Sequence, residues 1–131
     1  MPLFPGTPYD YASVAPEGSL VFTAGACPLD EDGRVVAIGN HEGQTVQAVE
    51  NLRAALVEVG SSLEDVLKTT VYVVAADRVE LVRTWNVVEA AFAPARPPST
   101  LLGVTLLGYP DQLVEIEAVA VTRDTHASRS K

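Results

Sequence analysis

Two periods of hydrophobic and polar positions alternate along this chain, and the changes of period mark its elements. The first eight residues hold Pro2, Pro5 and Pro8 and predict an extended arm. Leu20-Val21-Phe22-Thr23-Ala24-Gly25 is a short β-prone run closed by glycine. Asp30-Glu31-Asp32-Gly33 is a turn signal, and Val35-Val36-Ala37-Ile38 predicts a brief strand ahead of Gly39. From about Thr45 the period lengthens. Val46, Val49, Leu52, Leu56 and Val59 recur at three- and four-residue steps, which places them on one helical stripe, and His41 then precedes that helix. Gly60 supplies its C-terminal stop.

Val66 to Val74 is β-branched and aromatic and predicts a strand. Asp77 followed by Glu80 resembles a capping box, opening a second helix with Leu81, Trp85, Val88 and Phe92 on one face. Pro94, Pro97 and Pro98 end it. Thr100 to Leu106 and Leu113 to Thr122 predict two more strands joined by a turn around Gly108-Tyr109-Pro110. From Arg123 on the chain is a polar tail. The expected architecture is α+β, in one domain over residues 1–131, with an arm at 1–8 and a tail at 123–131.

Side chains of a strand alternate between the two faces of a sheet. In the last strand Val114, Ile116, Ala118 and Ala120 share one face, and Leu113, Glu115, Glu117, Val119 and Val121 the other. A sheet with one wet face reads apolar-in and polar-out, yet this strand is largely apolar on both sides. The run at Leu20 behaves the same way. Two helices cover about one face, so the second face is expected to pack on further copies of the chain. A strongly curled sheet that buries its own second face is the alternative.

Composition sharpens that picture. The chain has 131 residues, 47% hydrophobic and 20% charged, and a formal net charge of −8. Its basic residues are scattered, with Arg123, Arg129 and Lys131 in the tail, so nothing forms the clustered Lys and Arg patch that holds a phosphate backbone. Nucleic acid is therefore not an expected partner. No apolar run reaches the length of a membrane helix, and the start Met1-Pro2-Leu3-Phe4-Pro5 is unlike a signal segment. The single cysteine, Cys27, excludes an intrachain disulfide and fits a reducing cytoplasm.

Candidate chemistry concentrates on few residues. Glu115 and Glu117 point to the same side of their strand, about 7 Å apart. A carboxyl in a partly apolar interface can serve as acid or base; two solvated carboxylates are the plainer alternative. Cys27, between Ala26 and Pro28, lacks the basic neighbour or helix N-terminus of a nucleophilic thiol and reads as an inert one. His41 has only His126 as a histidine companion, so no metal centre or histidine triad is expected. Gly103 and Gly108 have neither the spacing nor the following helix of a phosphate loop.

Four stretches in order resemble the YjgF/Rid (reactive intermediate deaminase) superfamily: Leu20 to Leu29, Gln44 to Leu52, Gly60 to Val71, and most clearly Leu113-Val114-Glu115-Ile116-Glu117-Ala118-Val119-Ala120-Val121. The resemblance implies a chorismate-mutase-like α+β fold with two helices on one face of the sheet. It also implies homotrimers with a central barrel and small-molecule clefts between subunits. Its best-known members hydrolyse enamines and imines to a 2-oxo acid and ammonia, without metal or cofactor.

The family's functional residues carry over in part. An arginine in a Pro-Ala-Arg-Ser/Thr stretch clamps the substrate carboxylate. Here the stretch reads Arg96-Pro97-Pro98-Ser99-Thr100, which puts Ser99 at the arginine position, while Arg96 matches a different position. The water-positioning glutamate matches Glu115. A serine before the strand-ending Gly25 is replaced by Ala24, an asparagine on the second helix falls at Trp85 with Asn86 one step off, and a tyrosine matches Tyr9, or Tyr11 with a shifted gap. Gly25 and Cys27 are expected beside the same cleft. The chain thus resembles an arginine-lacking branch. The leading expectation is a deaminase or hydrolase of small reactive imines whose substrate lacks the usual carboxylate contact. The alternative is a non-catalytic metabolite-binding trimer. A ribonuclease role, attached to some family members, is opposed by the acidic charge.

Overall fold

The structure is a computed structural model and describes residues 2–123. The tail that holds His126, Arg129 and Lys131 lies outside the described residues, apart from Arg123. Four strands, β1 (Leu20–Phe22), β2 (Val66–Val74), β3 (Ser99–Val104) and β4 (Val114–Val121), form one mixed sheet in the order β1-β4-β2-β3. Two helices, α1 (His41–Glu58) and α2 (Arg78–Phe92), pack on one face of it. β2 pairs antiparallel with β4 and parallel with β3, because α2 carries the chain back to the start of the sheet before β3 begins. The turn at 108–110 therefore does not make a hairpin: β3 and β4 lie on either side of β2.

The core is where alternation and helical period meet. Val71 and Val73 of β2 and Val114, Ile116, Ala118 and Ala120 of β4 are buried beneath Ala48, Val49, Leu52 and Leu56 of α1 and Val88 and Phe92 of α2. Leu81 and Trp85 pack on its rim, as the period of the second helix predicts. Asp77 caps α2 by accepting from the Glu80 N–H at 3.2 Å, while Glu80 accepts from the Ala76 N–H at 2.7 Å, a near relative of the capping box.

Three expectations are corrected. Val35–Ile38 is not a strand: only a single bridge, Leu29 to Val35, forms, and Ala37 (φ 50) and Gly39 (φ 79) turn the chain into the helix. That helix starts at His41, not Thr45, with Asn40 as its N-cap accepting from Gly43 N–H at 2.9 Å. Its buried stripe is also rotated. Val46 and Val59 are exposed, whereas Gln44 and Thr45 are fully buried. The Gln44 amide accepts from Leu113 N–H at 2.7 Å and donates to Asp111 C=O at 2.9 Å, so it staples α1 to the entry of β4. Thr45 donates to His41 C=O at 2.6 Å.

Among the described residues nothing covers the sheet face away from the helices. Leu20 and Phe22 of β1 and Leu102 of β3 are exposed there, with Tyr72, Glu115, Glu117 and Val119 half-buried between them.

Candidate functional site

Glu115, the second residue of β4, stands on that uncovered face, since its neighbours Val114 and Ile116 are in the core. A bulge places the next strand against it. Thr23 N–H bonds Ala118 C=O and Ala26 exchanges bonds with Ile116, so Ala24 and Gly25 together oppose one residue of β4. The extra residue brings the Gly25 backbone onto the Glu115 side chain. A Cβ at position 25 would lie 2.6 Å from Glu115 Cγ and overlap the carboxylate itself. Glycine is required there for closeness of approach.

One carboxylate oxygen is held and the other is not. Glu115 Oε1 accepts from Gln112 Nε2 at 3.2 Å and lies 3.5 Å from Cys27 Sγ. Gln112 is buried, and its second amide hydrogen goes to Val114 C=O at 3.0 Å while its oxygen accepts from Tyr109 N–H at 3.1 Å. The Cys27 thiol is pushed up by burial, then by the adjacent Glu115 charge and their hydrogen bond, with the Gln112 amide pulling the other way. It is a protonated donor at neutral pH and not a nucleophile. Glu115 Oε2 has no bond among the described residues and lies against Gly25. Glu117, two residues on, is engaged: the Tyr72 hydroxyl donates to it at 2.5 Å, and that bond is the largest of the influences raising the phenol.

Ser99 lies elsewhere. Its strand partner is Thr69, which is buried with Val71 and Val73 on the helix side of β2. Ser99 therefore faces the helices, and Glu115 the opposite side. The Ser99 hydroxyl accepts from Thr69 Oγ1 at 2.6 Å and donates to Pro97 C=O at 3.1 Å. It lines a hollow of about 430 Å³ with Pro8, Tyr9, Trp85, Thr100 and Leu101. Tyr9 meets Trp85 edge-on, ring centroids 6.4 Å apart, and Tyr11 backs Tyr9 at 5.9 Å. Of the two tyrosines considered from sequence, Tyr9 lines the hollow, and Tyr11 bonds Phe4 C=O. Arg96 holds the arm through Thr7 C=O. Asn86 is exposed on the far side of its helical turn.

The seven candidate residues thus fall into two groups. Ala24, Gly25, Cys27 and Glu115 meet on one face; Tyr9, Trp85 and Ser99 meet at the β3 edge on the other. Sequence reasoning missed Gln112, a polar residue just before a strand whose bonding partners only the fold reveals. His41 is structural: its Nε2 is 2.8 Å from Val74 C=O. Among the described residues no three His, Cys, Asp or Glu side chains come together as a metal would require, and no helix is long and apolar enough to cross a membrane.

Fold and site together define a small α+β protein whose candidate functional groups are divided between the two faces of one sheet. The Endoribonuclease L-PSP family model matches residues 4–122, and the chain belongs to that family, the YjgF/Rid family. A RutC family protein of Pyrococcus abyssi is 33% identical over 110 residues, 84% of each chain. The 3-aminoacrylate deaminase RutC of Acinetobacter baylyi is 31% identical over 124 residues, 88% of this chain and 91% of its own. Among solved structures, a protein of unknown function of the conserved Rid family, YyfB from Yersinia pestis, superposes with a TM-score of 0.84. It is 28% identical and matches 91% of this chain and 92% of its own. The fold is the chorismate-mutase-like fold of that family.

Proposed function

We propose that the protein is a cofactor-independent, cytoplasmic hydrolase of the Rid type, one domain acting as a homotrimer, that deaminates a small reactive imine or enamine with Glu115 as its base. The observation that carries this reading is the state of Glu115: one oxygen is tied to Gln112 and Cys27, and the other is left unbonded over a glycine on an open face. Such a carboxylate is pre-oriented to take a proton from water. The water oxygen then bonds to the imine carbon. The proton passes from Glu115 to nitrogen to give a carbinolamine, whose hydroxyl proton then moves through the same carboxylate to nitrogen as the C–N bond breaks, leaving a carbonyl compound and ammonia. The relationship to a named 3-aminoacrylate deaminase supports the reaction class.

Assembly is part of this reading. Ser99 and Glu115 face opposite sides of one sheet, so they can share a cleft only if they come from different copies. The exposed Leu20, Phe22 and Leu102 give those copies an apolar face to bury. Sedimentation in dilute solution tests this, and a stable folded monomer would contradict it. The catalytic claim is tested by generating imines with an amino-acid oxidase and following their decay. Acceleration by wild type and its loss in Glu115→Ala is the expected result; no acceleration of any imine would refute it. A metabolite-binding trimer without turnover is the second reading, favoured by a Ser99 hollow that no Lys, Arg or His lines among the described residues. Calorimetry that finds saturable binding beside unchanged imine decay would select it.

A further inference from the structure

We infer that the Tyr9–Trp85–Ser99 hollow takes an uncharged, ring-bearing apolar group, so that the ligand is a neutral aromatic imine or amide-like compound and not an amino-acid-derived carboxylate. The inference deepens the proposed function by naming a ligand class, and only the fate of the ligand rests on that reading.

The walls decide the chemistry. The hollow holds about 430 Å³, within the range of small-molecule pockets. Tyr9 and Trp85 meet at 87° and form a corner of two ring faces, with Leu101 and Pro8 completing an apolar lining. A flat ring packed into such a corner finds both stacking and edge-to-face contacts. Trp85 Nε1 is sealed from solvent and has no acceptor among the described residues, so the accessible part of the indole is carbon. Ser99 spends its one hydrogen on Pro97 C=O and already accepts from Thr69. It therefore cannot donate to a carboxylate without breaking a bond it has made.

Charge points the same way. Among the described residues no Lys, Arg or His lines the hollow. Arg96, three residues before Ser99, borders the narrow crevice behind Trp85 and binds Thr7 C=O, and Arg83, two residues before Trp85, is exposed. A carboxylate entering here would lose water and gain no counter-charge, a costly exchange. The hydroxyl of Tyr9 remains to meet one polar atom of a neutral ligand, since Thr100, next to Ser99 on β3, turns its side chain to the opposite face. An amide, carbonyl or imine nitrogen satisfies it; an anion would take the same bond but find no counter-charge.

Trp85 is the only tryptophan in the chain, so its fluorescence reports the hollow directly and needs no turnover. Wild-type protein is titrated with phenylacetamide, phenylacetate and acetamide, and each affinity is repeated by calorimetry. Phenylacetamide is expected to change the emission saturably, phenylacetate to bind at least about tenfold more weakly, and acetamide to have no effect. Ser99→Arg should reverse the order of the first two, since a guanidinium then faces the carboxylate. Tyr9→Ala should weaken phenylacetamide and leave the Ser99→Arg preference for the acid. Glu115→Gln should lose imine hydrolysis and still bind phenylacetamide saturably, which separates this inference from the catalytic one. Phenylacetate binding as tightly as phenylacetamide would overturn it. So would an emission that ignores all three compounds but shifts when subunits are diluted apart, because a second copy would then fill the hollow.

Discussion

Glu115 and Ser99 sit on one sheet, two strands apart, and their surroundings differ in kind. Around Glu115 the contacts are polar and specific: an amide, a thiol and a glycine backbone are each placed against one carboxylate. Around Ser99 the contacts are apolar and broad, and the one hydroxyl is consumed by its own backbone and by Thr69. The first region is built to hold a charge in a fixed direction. The second has the shape of a binding hollow without a charge. Where a carboxylate-clamping arginine is expected from the family, the chain has closed the hydrogen bonds internally and lined the space with rings.

The largest expected effect breaks the comparison on its polar side. Glu115→Ala removes the proton acceptor, and imine hydrolysis should fall by about 10²–10⁴-fold, the usual worth of a positioned base. Phenylacetamide should still bind saturably at Trp85. A variant as active as wild type would leave the bonds around Glu115 without a catalytic meaning.

A smaller loss is expected from Gly25→Ala. The new methyl cannot fit beside Glu115 Cγ at 2.6 Å, so either the carboxylate swings or the bulge opens. A displacement of about 1 Å can cost up to roughly 10²-fold in rate. The check is hydrolysis rate against melting temperature: activity should drop by tenfold or more while the melting point changes by a few degrees. Equal activity would mean that Oε2 does no work where it stands.

Much of this was legible from the residues, and the failures have a common cause. β2 occupies Val66–Val74 as its β-branched run predicts, and β4 splits its faces as alternation requires, because both signals are local. The rotated stripe of α1 was not legible: hydropathy ranks Gln44 below Val46, yet Gln44 is inside because two backbone groups of the 111–113 segment need its amide. Val35–Ile38 has strand composition but only four residues between two turns, too few to outweigh the positive φ of Ala37 and Gly39. At the site, Gly25 and Cys27 were tied to Glu115 through the family resemblance. That Ser99 faces away from Glu115 follows only from the parallel register of Ser99 with Thr69, a long-range fact with no local trace.

Gln112→Leu probes that long-range part. The substitution strands the Tyr109 N–H and Val114 C=O and removes one bond from Glu115, in a buried position. An unsatisfied buried group costs about 1–3 kcal/mol, so thermal unfolding should move down by several degrees. Ser99→Ala strands a single buried group, the Thr69 hydroxyl, against the two backbone groups stranded by Gln112→Leu, and should cost less, about 1 kcal/mol. The reverse order in a denaturation series would show that the polar region is not the more tightly specified of the two.

The finest effect is electrostatic and belongs to Cys27. Burial raises its thiol most, and the Glu115 charge and hydrogen bond add to that. A thiol raised in the folded chain favours the protonated form. Its contribution to stability is whole below the unfolded-chain value and is lost as pH rises through the folded value, so it acts only on the alkaline side. Replacing Glu115 by Gln removes the charge and leaves the burial. The thiol of Glu115→Gln should therefore ionise at lower pH than that of wild type, though still above an ordinary cysteine. Alkylation by iodoacetamide, followed against pH, reads this directly: the rise in rate should begin earlier in the variant. In wild type, melting temperature should decline more steeply above neutral pH than in Cys27→Ser. Superimposable alkylation profiles for wild type and Glu115→Gln would mean that Cys27 does not feel the carboxylate, and the polar clamp would reduce to Gln112 alone.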